Sequence, residues 1–215
     1  MLDFLFSNPF LFIAWAIALL VAITVHEFAH AFVADKLGDP TPRLQGRLTL
    51  NPLAHLDPIG TLMLLLVRFG WGKPVVFDLY NLKNPKRDSA LISLAGPASN
   101  LIVASILAVL VRIITSPFSP VYFLVPFLLP VITLNVMLAI FNLIPIHPLD
   151  GGKILVGLLP DEDAEKVDLF LRQSGLILLM FLILPLINGR PAVYYLINPV
   201  INTILSILLP GQSLV

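Results

Sequence analysis

The 215-residue sequence has no cysteine, and only 12% of its residues are charged. The first absence excludes disulfide frameworks, iron–sulfur clusters and thiolate zinc sites, so any metal must be held by His, Asp or Glu. The second sets the chain far from a soluble domain: 58% of its residues are hydrophobic and its mean hydropathy is +0.94, as in an integral membrane protein. Excess charge of either sign is missing too, since 13 basic and 13 acidic side chains cancel. No basic field argues for a nucleic-acid partner, and the expected surroundings are the lipid bilayer and what lies in it. The amino terminus, MLDFLFSNPF, carries Asp3 and neither Lys nor Arg, and no small-residue cleavage site precedes the first polar motif, so the first apolar run is expected to be a retained span. Internal repeats, low-complexity tracts and a separate soluble domain are lacking, and residues 1–215 read as a single domain.

What is present is a set of long apolar runs. About 18 apolar residues suffice to cross a bilayer as helix. Residues 9–34, 89–115 and 120–143 qualify, and a C-terminal helix pair, 169–187 and 191–210, is divided by the turn signal Asn188-Gly189-Arg190-Pro191. A further run, 58–69, has only 12 residues and suits a re-entrant helix better than a crossing. Lys36, Arg43 and Arg47 precede it and Lys73, Lys83, Lys86 and Arg87 follow it, so both flanks are expected in the cytoplasm by the positive-inside rule. On that topology every basic residue except Arg112 and Arg190 lies inside, counting Arg68 and Arg172 at cytoplasmic ends. Between the first span and residue 88, RLTL (47–50) and PVVFDLY (74–80) have strand-like composition. The expected fold is an all-α polytopic membrane protein of about five to six transmembrane helices, with a re-entrant segment and a small membrane-surface β-hairpin or sheet.

The stretch VAITVHEFAHAFVADKLGD, residues 21–39, places His26, Glu27 and His30 inside an apolar span. Residues four apart share a helical face, so the two imidazoles can chelate one ion while Glu27 reaches water at the metal. Neutral imidazoles suit zinc, which in catalytic sites takes three protein ligands and keeps one position open. A carboxylate in that place acts as a general base and passes the proton to the leaving nitrogen. The bland alternative is two satisfied histidines and a glutamate turned to solvent; a charged Glu within lipid costs roughly 2.5–3.5 kcal/mol, which favours a functional role. The motif alone fits a protease or a zinc or proton transporter, although a transporter does not require a Glu directly after the first His. His55, Asp57, His147 and Asp150 are the candidates for a third ligand, with Glu162 or Glu165 to be tested against Asp150. In FNLIPIHPLDGGKIL, residues 141–155, Pro145 and Pro148 break helix and Gly151-Gly152 permits a tight turn beside Asp150. Read alone, Asp150 is more often a helix N-cap for residues 151–159.

HEFAH within a span, an AGPASN helix start, NPLAHLDPIG (51–60) and the later N-x-x-P-x-x-P-L-D-G-G together resemble the site-2 protease family of intramembrane zinc metalloproteases, over residues 20–155. The compact members without PDZ or nucleotide-sensing (CBS) domains are the most similar. The resemblance implies that His26, His30 and Asp150 hold one Zn2+ per chain, that Glu27 is the catalytic base and that Asn142 contacts substrate. It also implies a substrate that is a membrane-anchored protein, such as an anti-sigma factor or another membrane-bound regulator. Cleavage is expected near the cytoplasmic face of a bacterial or archaeal membrane. His147 stands where relatives carry Pro or an apolar residue and reads as a loop histidine. Asn100 and Asn135 read as helix-to-helix glue, with Gly96 permitting close packing. His55 and Asp57 read as a structured turn.

Overall fold

In a computed structural model that describes residues 7–67, 70–115, 119–185 and 189–210, helix α1 (Pro9–Lys36) begins where a capping side chain and a proline coincide. Asn8 Oδ1 accepts from the Leu11 N–H at 3.1 Å, and Pro9, with no N–H to satisfy, takes the first helical position. Ala14, Ala18, Ala22, His26, His30 and Ala34 are all buried, one every four residues along the helix. Small side chains on one ridge let neighbouring helices approach closely. The two histidines therefore stand in the packing seam of α1, where the other positions hold alanine.

Across that seam lie α4 (Pro85–Ile114) and α5 (Val125–Asn142). Helix α4 starts before the expected span at residue 89, because Pro85 takes its first position and Asp88 Oδ2 accepts from the Asn84 N–H at 2.9 Å. Hydropathy marks only the lipid-soluble part, whereas this polar cap sets the true beginning. For the same reason AGPASN is not a helix start: it lies in the middle of α4, with Pro97 inside the helix. Further along, Ile102, Ile106, Val109 and Ile113 form an exposed apolar stripe suited to lipid. Ala104, Ala108 and Val111 face inward and join Ile132 and Val136 of α5 and Ile201 and Leu205 of α8 (Ala192–Leu208) in the main core.

Three described stretches are long and apolar enough to cross a membrane: α1, α4 and residues 122–142. Helix α7 (Asp161–Ile183) starts with DEDAEKVD and retains Arg172 further on, and α8 has 17 residues, so the C-terminal pair meets that standard less fully than expected. Asn188 of the expected turn and the end of the 169–187 run lie outside the described residues, as do Asp3, Arg68 and Phe69. Helix α3 (Pro58–Val67) has 10 residues and rises about 15 Å, half of a bilayer core of about 30 Å.

About 76% of the described residues are helical, and no sheet is present among them. The expected pairing of RLTL with PVVFDLY is absent. Arg47 points inward and donates to the carbonyls of Ala54 and Lys73, and residues 47–50 and 74–80 share no backbone hydrogen bond. Residues 73–78 form no regular element, although Asp78 has extended backbone, and an isolated bridge pairs Leu56 with Gly72, reinforced by the Lys73 N–H donating to His55 O at 2.8 Å. A four-residue helix, α2 (Thr41–Leu44), precedes this region, and α6 (Asp150–Leu158) follows the irregular chain that leaves α5.

Candidate metal centre

His26 Nε2 and His30 Nε2 lie 3.0 Å apart, and Asp150 Oδ2 lies 3.1 Å from the first and 3.3 Å from the second. Three features of the backbone bring the groups together. The four-residue spacing on α1 stacks the imidazoles on one face. Gly96 of α4 leaves room for them: a Cβ there would stand 2.5 Å from His30 Nε2 and 2.6 Å from His26 Cε1. The Gly151-Gly152 pair lets α6 begin hard against the chain entering it. A Cβ on Gly151 would stand 2.5 Å from Leu143 O, and one on Gly152 would stand 2.7 Å from His147 Nδ1. Asp150 is thus the first residue of α6 and not its cap, and its side chain turns to the imidazoles.

The chemistry of this set fits a cation. His30 Nδ1 lies 2.7 Å from Ile92 O, a carbonyl that can only accept, so Nδ1 carries the proton and Nε2 presents a lone pair. His26 Nδ1 lies 2.7 Å from Asn100 Oδ1, which fixes the same tautomer. Asp150 Oδ2 is buried and has no hydrogen-bond donor. Two nitrogen lone pairs and a carboxylate oxygen converge without a proton to share, and the three ligand atoms lie within 4.8 Å of one another. Ligands about 2.0 Å from a tetrahedral zinc stand about 3.3 Å apart, close to the spacing seen here.

Glu27 follows His26 by one residue, so its carboxylate diverges from the ligand face and enters a different environment. Oε2 accepts from the Val75 N–H at 2.9 Å and lies 4.0 Å from Arg47 Nη2. The strap formed by residues 73–78 therefore meets Glu27 at Val75. It is secured at one end by Arg47 and His55, and at the other by Asp39, whose carboxylate accepts from the Asp78 N–H at 2.7 Å and from Asn81 Nδ2 at 2.8 Å. Burial pushes the Asp39 carboxyl up, but these bonds and those from the Thr41 hydroxyl and N–H outweigh it and hold the group below the usual carboxylate range. Beyond the strap opens a cleft of about 830 Å³, lined by Val75, Phe77, His147, Lys153, Val156 and Arg172 among others. Lys153 Nζ sits 4.6 Å from the centre of the Phe77 ring.

The remaining sequence candidates fall elsewhere. Asn142 is the last residue of α5, where its amide donates to Leu138 O at 3.0 Å. His55 is fully buried and its Nε2 donates to Thr49 O at 2.8 Å, and Asp57 accepts from the Gly60 N–H at 2.7 Å; both organise the loop and the start of α3. His147 pairs with Asp168 of α7 at 3.0 Å. Glu162 and Glu165 are exposed on α7. Sequence reasoning passed over Arg47, which counted only as a topological charge, and Asn100, which counted only as glue. An arginine and an asparagine look alike to such reasoning whether they face water or a ligand.

A helical chain whose apolar spans enclose a His–His–carboxylate cluster beside a glutamate has the donor set of a metallohydrolase. The chain belongs to peptidase family M50: the model described as Peptidase family M50 matches residues 119–182, and the similarity to a curated relative extends over most of both chains. YwhC of Bacillus subtilis (strain 168) is 41% identical over 175 residues, covering 79% of this chain and 80% of the relative. Rip2 of Mycobacterium tuberculosis (strain ATCC 25618 / H37Rv) is 33% identical over 177 residues, covering 79% and 66%. MJ0392 of Methanocaldococcus jannaschii is 30% identical over 150 residues, covering 68% and 35%. All three carry the words zinc metalloprotease in their names. No solved structure matches this chain. The protein is a metalloprotease, and its three long apolar helices accord with residence in a membrane.

Proposed function

We propose that this protein is an intramembrane metalloprotease that hydrolyses peptide bonds within or near the transmembrane segments of membrane-anchored proteins, with residues 1–215 acting as a single domain. The observation that carries the reading is the convergence of His26 Nε2, His30 Nε2 and Asp150 Oδ2 next to Glu27, inside a helix apolar enough to span. His26, His30 and Asp150 would hold one zinc ion. Zinc supplies a Lewis acid that polarises the scissile carbonyl and lowers the pKa of water.

The chain's own groups do the rest. Glu27 Oε2 takes the proton from the attacking water and delivers it to the leaving nitrogen. The Val75 N–H and the Arg47 charge orient that carboxylate. A peptide bond within a transmembrane helix is shielded by its own hydrogen bonds, so the substrate has to unwind. The strap segment 74–77 would offer an edge along which an unwound stretch can lie, as in strand-addition recognition, since Val75 touches Glu27 and residues 74–77 line the cleft. Asn142 contacts the substrate at the end of α5. The client is a membrane-bound regulator such as an anti-sigma factor, cut near the cytoplasmic face of a bacterial or archaeal membrane.

Glu27→Gln in proteoliposomes with a single-span substrate tests the base. The variant is expected to keep its zinc and lose cleavage; cleavage that persists overturns the role of Glu27. Val76→Pro tests the edge, and unchanged cleavage in that variant removes strand addition from the mechanism.

A further inference from the structure

The sequence offers Asn100 and Asn135 as polar glue between helices. Their contacts show more direction than glue needs. Asn135 Nδ2 donates to Val131 O at 2.8 Å, so its Oδ1 must face the other way, and there it accepts from Asn100 Nδ2 at 2.7 Å. Asn100 Nδ2 donates also to Ala22 O at 2.9 Å. Both amide hydrogens of Asn100 are thereby committed, one to a carbonyl that can only accept. Its Oδ1 is left pointing at His26 Nδ1, 2.7 Å away. Asn100, Asn135 and His26 are all buried, so no bulk water offers a competing partner.

We propose that Asn100 is a positioning residue for the metal centre, one that fixes His26 in the tautomer whose Nε2 lone pair faces the ion, with its own direction held by the Ala22 carbonyl whether or not Asn135 is present. The reason is one of hydrogen-bond parity. The Asn100 amide nitrogen faces the Ala22 carbonyl, which can only accept, so its oxygen is the end left for His26, and Asn135 takes the remaining amide hydrogen. An imidazole at the end of such a chain meets an obligate acceptor and must protonate Nδ1. His30 reaches the same state through a backbone carbonyl, Ile92 O, which no side-chain substitution removes. His26 alone depends on a side chain for its orientation. Partners of this kind typically change metal affinity by 10- to 100-fold when removed. The relay also ties three helices to the site, since Ala22 and His26 belong to α1, Asn100 to α4 and Asn135 to α5.

The inference rests on the metal centre proposed above, and zinc binding by the unaltered protein tests that centre separately. The two halves of the Asn100 amide then have separable outcomes. Asn100→Leu removes both halves. Asn100→Asp keeps an oxygen towards His26 but sets a second oxygen against Ala22 O and Asn135 Oδ1. Asn135→Leu leaves Asn100 in place while removing its interhelical partner. The full-length proteins in detergent are titrated with Zn2+ in competition with a chelator, and the thermal stability of the metal-free forms is measured in parallel.

All three substitutions are expected to lower the stability of the metal-free protein. Only Asn100→Leu is expected to lower zinc affinity, by about 10- to 100-fold, with a matching change in the visible spectrum of the Co2+-substituted protein. A purely structural role predicts instead that affinity follows stability across the series. Unaltered affinity in Asn100→Leu, or an equal loss in all three, overturns the relay. Should Asn100→Leu fail to fold, Asn100→Ala replaces it, with the same loss of affinity expected and unaltered affinity again overturning the proposal.

Discussion

The guanidinium of Arg47, whose side chain is 3% exposed, stands 4.0 Å from the Glu27 carboxylate while donating to the carbonyls of Ala54 and Lys73. One side chain therefore joins the loop before α3, the strap after it and the carboxylate on α1. Arg47→Met leaves the Ala54 and Lys73 carbonyls without this donor and Glu27 without its neighbouring charge. The expected result is a loss of about 3 kcal/mol of stability, with faster cleavage of the strap by an added protease and loss of peptidase activity. Arg47→Lys restores the charge but not the fork, so it is expected to recover stability only in part. Limited proteolysis combined with thermal unfolding in detergent measures both.

Gly96 meets both imidazoles at distances that exclude a methyl group. Gly96→Ala is expected to push the rings apart, reduce bound zinc at least 10-fold and abolish cleavage, while α4 itself gains helix propensity. Metal content by mass spectrometry, with helical content as a control, distinguishes this from general unfolding.

Asp150, not an acidic residue of α7, lies beside the histidines. Asp150→Ala is expected to remove the ion and all activity, whereas Glu162→Gln and Glu165→Gln retain the metal. Loss of zinc in either glutamine variant would reassign the third ligand.

The depressed Asp39 carboxyl gives a dependence on pH whose sign is determined. Its pKa in the folded protein is below the unfolded value of about 3.9, so its contribution is complete above that value and disappears as pH falls through the folded one. Asp39→Asn is expected to cost about 2 kcal/mol at neutral pH and to flatten the acid side of the stability curve below about pH 4. Unfolding midpoints for the two proteins across the acid range give the comparison.

The motif His26-Glu27-x-x-His30 is legible because a helix converts sequence spacing directly into spatial proximity. The three long apolar helices are legible because lipid demands long apolar runs. The loops between them do not follow from such rules. Strand-like composition in RLTL and PVVFDLY suggested a sheet, but Arg47 turns inward to the Ala54 and Lys73 carbonyls and the Val75 N–H turns to Glu27, contacts that composition does not reveal. The starts of α4 and α7 differ from the apolar boundaries because caps and charged turns, to which hydropathy is blind, begin those helices.

The sequence by itself determined a helical membrane protein with two imidazoles and a glutamate on consecutive faces of one helix, because both conclusions depend only on local periodicity and composition. Tertiary structure alone decided that the Asp150 carboxylate meets the two imidazoles, that Gly96 makes room for those rings, and that Asn100 and Val75 address His26 and Glu27. Those relationships join residues separated by up to more than a hundred positions. They arise from how the helices pack and from which buried polar atoms must find partners, and neither is encoded in any one segment.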